Sequence, residues 1–210
     1  MDYSLDDFFI VLCASKDGSI EFNTANVVGD VARFLDRPKI AACSDKAGIS
    51  VARTHLLEKT LKAIEDKGIK NDGFIHALWI DSDIRVLGQA EQIAKDIEIA
   101  KENKWSLVSN YHGVWENGTY INTLAKPNDT GSYTFYSDEE IAGLKDLQEL
   151  PIGTVGGMGF CYLRIPVGYI FSFTQYGEDI NLFRHLYDTF PDFRLHYWDI
   201  RMLHLKQLPI

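Results

Sequence analysis

The sequence predicts an α/β fold, with a mostly parallel central sheet and helices on both of its faces. In the first half of the chain, short apolar runs alternate with longer stretches in which apolar residues recur at helical spacing. Because parallel strands need a crossover connection, this alternation favours parallel pairing. The 210 residues fit one α/β domain, and no linker, repeat or low-complexity segment divides them. We therefore expect a single domain over residues 1–210.

Four strands and three helices are predicted in the first half. The strands are the apolar runs at 8–14, 39–43, 74–80 and 105–109. The helices are a segment capped by Asn23 or Thr24, the segment 49–67, which stops at Gly68, and the segment 89–103. Each helix lies between two strands, as the crossovers of a parallel sheet require.

The second half has a different composition. Residues 110–135 mix aromatic and turn-forming residues, which indicates an irregular or hairpin-rich insert. Ser137 and Glu140 have the spacing of a capping box that opens a short helix. The remaining predicted elements are a strand at 160–165, a helix at 178–190 and strand-like residues at 195–205.

Glycine is concentrated between Gly153 and Gly159, directly before the strand at 160–165. The run does not match a phosphate-binding loop, because no Gly-Lys-Ser/Thr follows it and the next element is a strand. It does not match a dinucleotide-binding fingerprint either, since Tyr162 occupies the position of the third glycine. We expect the run to bring the backbone close to a ligand or to form a bend.

Charge and cysteine content limit the function classes. The 30 acidic and 21 basic residues give a net charge of −9, which disfavours non-specific binding to nucleic acids. Cys13, Cys43 and Cys161 each lie in an apolar run and are predicted to be buried free thiols. The N-terminus lacks the features of a signal peptide, and no apolar run approaches the roughly 20 residues of a transmembrane helix. We expect a soluble, cytoplasmic protein.

Asp81 and Asp83, directly after the strand at 74–80, are the most informative residues. Open α/β sheets bind ligands outside the carboxyl ends of their strands. Two carboxylates one residue apart can project toward the same side there and bind a divalent cation, Mn²⁺ or Mg²⁺, which a diphosphate would also coordinate. The alternative is a solvated Asp-Ser-Asp turn that binds nothing.

Glu178 and Asp179 open the predicted helix at 178–190. Acidic residues in a first turn are favoured by the helix macrodipole, which is a sufficient structural explanation for both. The functional alternative makes one of them a general base that takes a proton from an acceptor hydroxyl.

Two basic side chains are further candidates for this site. Arg53, early in the helix at 49–67, has a fork of donors that suits a diphosphate, but it could equally be an exposed helix charge. His204 lies among apolar residues near the end of the chain. Such histidines are commonly structural, although an imidazole ligand would suit Mn²⁺.

Taken in order, these segments resemble the GT-A glycosyltransferases, especially compact family-2-type enzymes such as those encoded by archaeal viruses. The resemblance spans about residues 8–205 and rests on the segments ISVARTHL, WIDSD, GGMGF and GEDINLF and on the late His204. It implies the GT-A fold and transfer of a sugar from a nucleotide-diphospho-sugar to a hydroxyl of a glycan or protein acceptor. The loop Ala14–Asp17 departs from the pattern, since it lacks the common Pro-Thr-Tyr-Asn.

The resemblance also implies the metal ligands and the location. It assigns Asp83 and His204 to the metal, and Asp81 to the metal or the ribose of the donor. If the chain is viral, as the resemblance suggests, the expected location is the cytoplasm of the host cell.

The resemblance also implies which residues bind the donor and which act in catalysis. Arg53 matches a helix arginine of related enzymes, although Thr54 follows it where asparagine is usual. Asp45, after the second strand, is a candidate for recognition of the nucleotide base. Asp179 matches the catalytic base of the ED motif, with Glu178 as the fallback. A base opposite the leaving group implies an inverting enzyme.

Two other functions remain open at this point. A nucleotidyltransferase uses a similar sheet and metal, but its early glycine-rich and basic loop is absent near residues 14–19. A non-catalytic protein that binds sugar nucleotides, or a structural protein, could also use the fold. An Asp179 side chain turned away from the pocket would favour that second alternative.

Overall fold

The computed structural model describes most of the chain, namely residues 8–14, 22–34, 39–44, 49–67, 73–81, 84–87, 90–114, 120–167 and 178–204. Three predicted features, Asp45, Asp83 and the helix stop at Gly68, lie outside the described residues.

The helices and strands alternate along the first half of the chain. The helices are α1 (Phe22–Phe34), α2 (Ile49–Lys67), α3 (Ala90–Asn103), α4 (Asp138–Ala142) and α5 (Glu178–Thr189). The strands are β1 (Phe8–Ala14), β2 (Lys39–Ser44), β3 (Phe74–Asp81), β4 (Ile84–Val86), β5 (Ser106–Ser109), β6 (His112–Val114), β7 (Tyr120–Asn122), β8 (Ala125–Pro127), β9 (Tyr133–Phe135), β10 (Phe160–Pro166), β11 (Leu195–Trp198) and β12 (Met202–His204). The predictions for β1, β2, β3, β5, β10, α2, α3 and α5 are confirmed to within one residue at each end.

The central sheet has six strands in the order β11-β5-β10-β3-β1-β2. β1 pairs in parallel with β2 and β3, and β11 pairs in parallel with β5. β10 is antiparallel to both β3 and β5, so the sheet is mixed. The other five strands run in one direction, so the sheet is mostly parallel, as predicted, with β10 as the exception. The direction of β10 follows from its connection to β5, which consists of hairpins and the short α4 instead of a crossover helix. The chain therefore re-enters the sheet at the carboxyl edge, where β5 ends.

The strand order reverses at β1. β2 and β3 lie on opposite sides of β1, and α1 and α2 make the two connections. In doubly wound sheets, the carboxyl ends of the strands at such a reversal form a crevice in which ligands bind. The ends of β1 and β3 are therefore the expected location of a ligand site.

Helices pack on both faces of the sheet, as predicted. Because successive side chains of a strand point to opposite faces, β3 contributes to two apolar cores. Ile75, Ala77 and Trp79 pack in the core that contains residues of α2 and α5. Leu78 and Ile80 pack in the core that contains residues of α1 and α3.

Two predictions of local structure have different outcomes. The capping box at α4 is confirmed, since the Ser137 hydroxyl accepts from the Glu140 N–H and the Glu140 carboxylate accepts from the Ser137 N–H. The prediction that Asn23 or Thr24 caps α1 is wrong, because α1 begins at Phe22 and contains both. Local capping patterns compete with tertiary packing at helix ends, and the boundary shifts by one or two residues.

The second half of the chain adds three small sheets. The insert is hairpin-rich, as predicted, with β6 paired to β7 and β8 paired to β9. The strand-like residues at 195–205 divide into β11, in the central sheet, and β12, which pairs with the unpredicted β4. β4 has only three residues, and its partner comes from the far end of the chain, so local sequence gives little indication of it.

Two predictions from composition concern cysteine and membranes. Cys161 is buried, as predicted, and forms no disulfide within the described part of the chain, and the side chains of Cys13 and Cys43 lie outside that part. Among the described helices, none is long and apolar enough to cross a membrane.

Candidate active site at the carboxyl edge of the sheet

Several elements end or begin at one edge of the central sheet. Asp81 is the last residue of β3, and its register partner Cys13 lies near the end of β1. Because β10 is antiparallel to β3, the glycine-rich run before β10 reaches the same edge, and the Asp81 N–H donates to the Gly159 carbonyl at 2.9 Å. This edge is the carboxyl edge of β1 and β3, where a ligand site is expected.

Arg53 is buried on the inner side of α2. It is 2% exposed, and Leu56, Leu57 and Thr60 of the same helix are buried as well. Positions three, four and seven residues apart lie on one face of a helix, so Arg53 continues the stripe that faces the sheet. The alternative that Arg53 is an exposed helix charge is therefore wrong.

Asp81 contacts Arg53 because successive side chains of β3 point to opposite faces of the sheet. Asp81 has the same parity as Ala77 and Trp79, which face α2 and α5. The Arg53 Nη2 group donates to both carboxylate oxygens of Asp81, at 3.0 and 3.3 Å. The Asp81 residue is 8% exposed. The end of β3 thus carries a largely buried, ion-paired carboxylate.

Asp179 completes the cluster from the first turn of α5. Leu182, Phe183 and Leu186 are fully buried on this helix, and Asp179 extends their stripe by one turn. The Arg53 Nη1 group donates to Asp179 Oδ1, and the Met158 N–H donates to Asp179 Oδ2 at 3.1 Å. The Asp179 side chain is 27% exposed. Arg53 therefore bridges the two carboxylates, and Asp179 is the more accessible one.

Tyr111, which the sequence analysis did not identify, belongs to this cluster. Its hydroxyl accepts from the Gly159 N–H at 3.0 Å. Burial raises the pKa of Tyr111 well above its ordinary value, the Asp179 and Asp81 carboxylates raise this pKa further, and Arg53 acts in the opposite direction. The phenol therefore stays protonated next to the two carboxylates. Tyr111 follows the end of β5 much as Asp81 ends β3, and that position is the signal that could have identified it.

The glycine-rich run is shaped by close packing against side chains. A Cβ atom added to Gly157 or Gly159 would lie 2.5 Å from Tyr111 Oη, and one added to Gly156 would lie 2.2 Å from Val108 Cγ2. The close backbone approach that we expected is present, but the neighbouring groups are side chains of the protein. The run thereby fixes the Met158 N–H that binds Asp179.

A cleft of about 180 Å³ opens beside Asp179. We call it the Asp179 cleft, and it is lined by Tyr111, Ile121, Thr123, Ala125, Phe135, Val155, Gly156, Gly157, Asp179 and Ile180. Residues of the insert, the glycine-rich run and α5 thus form its walls. The aromatic residues of the insert have two roles, since Phe135 lines the cleft and Tyr136 is buried in the core.

The backbone of one predicted metal ligand, His204, pairs with β4. β12 is antiparallel to β4, and His204 is the register partner of Ile84, the residue after Asp83. Paired Cα atoms in such a ladder are about 4.5–5.5 Å apart. The side chain of His204 lies outside the described residues, as does Asp83. Within the described ranges, no group of three His, Cys, Asp or Glu side chains is arranged to hold a metal ion.

The donor set is chemically suited to Mn²⁺ or Mg²⁺. The Asp81 carboxylate accepts from Arg53 at both oxygens, and carboxylate oxygens are the ligands that hard divalent cations prefer. Two carboxylates and one imidazole would be an ordinary ligand set for Mn²⁺. The residues of the chain are therefore compatible with a divalent ion at this edge.

The structure places some of the predicted site residues together and leaves others undescribed. Arg53, Asp81 and Asp179 are in direct contact. His204 pairs through its backbone with Ile84, the residue after Asp83 in the sequence. The side chain of Glu178 lies outside the described residues, although its backbone begins α5. Asp45 also lies outside them, so its assignment stays a prediction.

Comparison of the chain with models of known protein families and with curated proteins finds no match. The geometry of this edge and the resemblance of the sequence segments are therefore the observations that bear on function.

Proposed function

We propose that this protein is a metal-dependent glycosyltransferase of the GT-A fold, which transfers a sugar from a nucleotide-diphospho-sugar to an acceptor hydroxyl with inversion. One observation carries the proposal. Arg53, from α2, binds Asp81, at the end of β3, and Asp179, at the start of α5, at the edge where the strand order reverses. Each of these residues lies in a segment that resembles a motif of the same family.

The donor would bind at the ends of β1 and β3. Asp81, Asp83 and His204 would hold Mn²⁺ or Mg²⁺, and the bound ion would supply Lewis-acid stabilisation for the charge that develops on the departing nucleoside diphosphate. Arg53 keeps Asp81 in place and adds a positive charge for the diphosphate. Asp45 would contact the nucleotide base.

Asp179 is the proposed general base. The acceptor oxygen attacks the anomeric carbon, its proton passes to the Asp179 carboxylate, and the bond to the phosphate oxygen breaks with its electron pair on the diphosphate. Arg53 and the Met158 N–H each bind one carboxylate oxygen of Asp179, so the carboxylate is held in one orientation. Each oxygen still has a lone pair for the proton.

The position of Asp179 bears on the alternatives. It lines a cleft instead of turning away, so the arrangement that would favour a non-catalytic protein is not the one observed. The insert and the glycine-rich run form the rest of that cleft, which gives the acceptor a route to the proposed base.

The first test is calorimetric titration of a panel of nucleoside diphosphates, with and without Mn²⁺, on the wild type and on Asp83→Ala. We expect metal-dependent binding of one diphosphate that disappears in Asp83→Ala. Asp192→Ala, which removes an exposed carboxylate after α5, is the matched control and should bind like the wild type. Failure of every diphosphate to bind in a metal-dependent way would remove the donor site.

A second variant separates binding from catalysis. Asp179→Asn should retain diphosphate binding and lose about 10²–10⁴-fold in transfer rate, because the amide cannot accept the hydroxyl proton. Transfer can be measured with the nucleotide-sugar of whichever nucleotide binds. Equal rates for Asp179→Asn and the wild type would exclude Asp179 as the base.

A further inference from the structure

A second cleft adjoins the Asp179 cleft. It measures about 350 Å³ and shares Ile121 and Phe135 with the Asp179 cleft. We call it the Asp138 cleft, and its polar side chains are His112, Asn122, Ser137 and Asp138. The two clefts therefore form adjoining depressions along the insert, one with the proposed base and the other with a polar wall.

The polar wall is held by hydrogen bonds within the insert. The Asn122 side chain is buried at 6% exposure, and its Nδ2 group donates to the Asp138 carboxylate at 2.8 Å and to the Tyr136 carbonyl at 3.0 Å. Its Oδ1 atom accepts from Asn110 Nδ2 at 2.7 Å. Asn122 therefore has a fixed orientation and directs the exposed Asp138 carboxylate.

Asp138 remains charged in this setting. The hydrogen bond from Asn122 lowers the pKa of Asp138, and the contact with His112 lowers this pKa further. The Asp138 side chain is 79% exposed, so its carboxylate is accessible to a ligand. A fixed carboxylate next to an aromatic ring is complementary to a sugar unit. The carboxylate accepts hydrogen bonds from the hydroxyls on the rim of the sugar, and the ring packs against the C–H groups on its face.

Charge selects against anionic ligands in these clefts. Anions would meet the carboxylates of Asp138 and Asp179 in a protein of net charge −9. An uncharged, hydroxyl-rich ligand avoids this repulsion.

We propose that the two clefts bind one extended glycan acceptor, with the reacting hydroxyl beside Asp179 and a further sugar unit against Asn122 and Asp138. This inference rests on the proposed glycosyltransferase function. It specifies that function, because it makes an oligosaccharide the acceptor and makes Asp138 a specificity-determining residue. A single sugar ring would occupy the Asp179 cleft alone and bind more weakly.

The test uses the side-chain amide of Asn122 as a reporter in ¹H–¹⁵N spectra of the full chain, without nucleotide or metal. The ligands are uncharged monosaccharides and disaccharides of glucose, galactose and mannose. We expect at least one disaccharide to shift the Asn122 signals and to bind more tightly than its component monosaccharides. In Asp138→Asn its affinity should fall about tenfold, as for loss of one charge-assisted hydrogen bond.

Asp129→Asn, which changes an exposed carboxylate elsewhere in the insert, is the matched control and should bind like the wild type. The inference is overturned if no disaccharide shifts Asn122, or if Asp138→Asn binds as tightly as the wild type. The outcome is independent of the diphosphate titration. Disaccharide binding without diphosphate binding would remove the transferase function and leave a sugar-binding cleft, and the reverse result would leave the donor site without this acceptor.

Discussion

Ion pairs occur in this protein both inside the fold and at its surface, and the two kinds connect different parts of the chain. Arg53 is buried between Asp81 and Asp179, which come from β3 and α5. Lys126 and Glu140 pair at the surface of the insert, with side chains that are 37% and 42% exposed. The first group joins distant parts of the chain at the candidate site, and the second joins β8 to α4 within the insert.

This difference shows that the buried charges, and not the surface ones, need a functional explanation. A surface pair is solvated with or without its partner and contributes little to stability. A buried pair loses its hydration, and the Coulombic gain often only offsets that loss, so apolar residues of similar size would serve the fold as well. Leu57 and Leu182, which neighbour Arg53 and Asp179 on the same helical stripes, are apolar. The buried group is therefore the one that we relate to binding and catalysis.

Arg53→Met should give the largest effect, because it leaves the Asp81 carboxylate buried without its cation. We expect the free energy of unfolding to fall by about 3–5 kcal/mol, as for the loss of one partner of a buried pair. Denaturation by urea measures this quantity. Lys126→Met is the matched control and should change the unfolding midpoint little, because its pair is solvated. Equal losses in the two variants would contradict the distinction between the two kinds of ion pair.

Tyr111→Phe should give the next largest effect, since it removes the acceptor of the Gly159 N–H. A buried donor without a partner costs about 1–3 kcal/mol. The control is Tyr187→Phe, because the buried Tyr187 hydroxyl has no hydrogen-bond partner among the described residues. We expect no loss of stability from Tyr187→Phe. If both phenylalanine variants unfold at the same urea concentration, the Tyr111 hydroxyl does not support the glycine-rich run.

Asp96→Asn should give the smallest effect and the opposite sign. Asp96 is 1% exposed and accepts from Trp198 Nε1 at 2.9 Å and from Gln92 Nε2 at 2.6 Å, both neutral groups. Burial raises the pKa of Asp96 above 3.8, and the hydrogen bond from Trp198 opposes this shift. Because the folded pKa is the higher one, stability is full below the unfolded pKa and is lost as the pH rises through the folded pKa.

Asparagine resembles the protonated acid, so Asp96→Asn should unfold at higher urea concentration than the wild type at neutral pH. The difference should shrink toward acid pH, where the wild-type carboxyl is neutral as well. Urea denaturation over a series of pH values measures this. A difference that does not vary with pH would show that charge at Asp96 is not the cause.

Much of the fold could be predicted because it depends on local periodicity. The strand at 74–80 is a continuous apolar run and the helix at 49–67 has apolar residues at helical spacing, and both are confirmed to within one residue. The antiparallel direction of β10 could not be predicted. The direction of β10 depends on how the insert returns to the sheet, and that is a non-local property.

The candidate site was predicted in part for the same reason. Arg53 lies four residues before Leu57, and Asp179 lies four residues before Phe183. Helical spacing therefore places both side chains on the faces of their helices that pack against the sheet. Tyr111 and Asn122 were missed because they lie in an insert with little periodicity. Their roles depend on contacts with residues far away in sequence.

By itself, the sequence determined the alternation of strands and helices, the amphipathic stripes and the placement of acidic residues at the ends of β3 and at the start of α5. These features follow from side-chain spacing along a single element. Only the tertiary structure decided that one arginine bridges two carboxylates, that β12 pairs with β4 to bring His204 beside Ile84, and that two clefts adjoin along the insert. Such contacts arise from the burial of apolar surface shared by several elements, and no single segment of sequence records that packing.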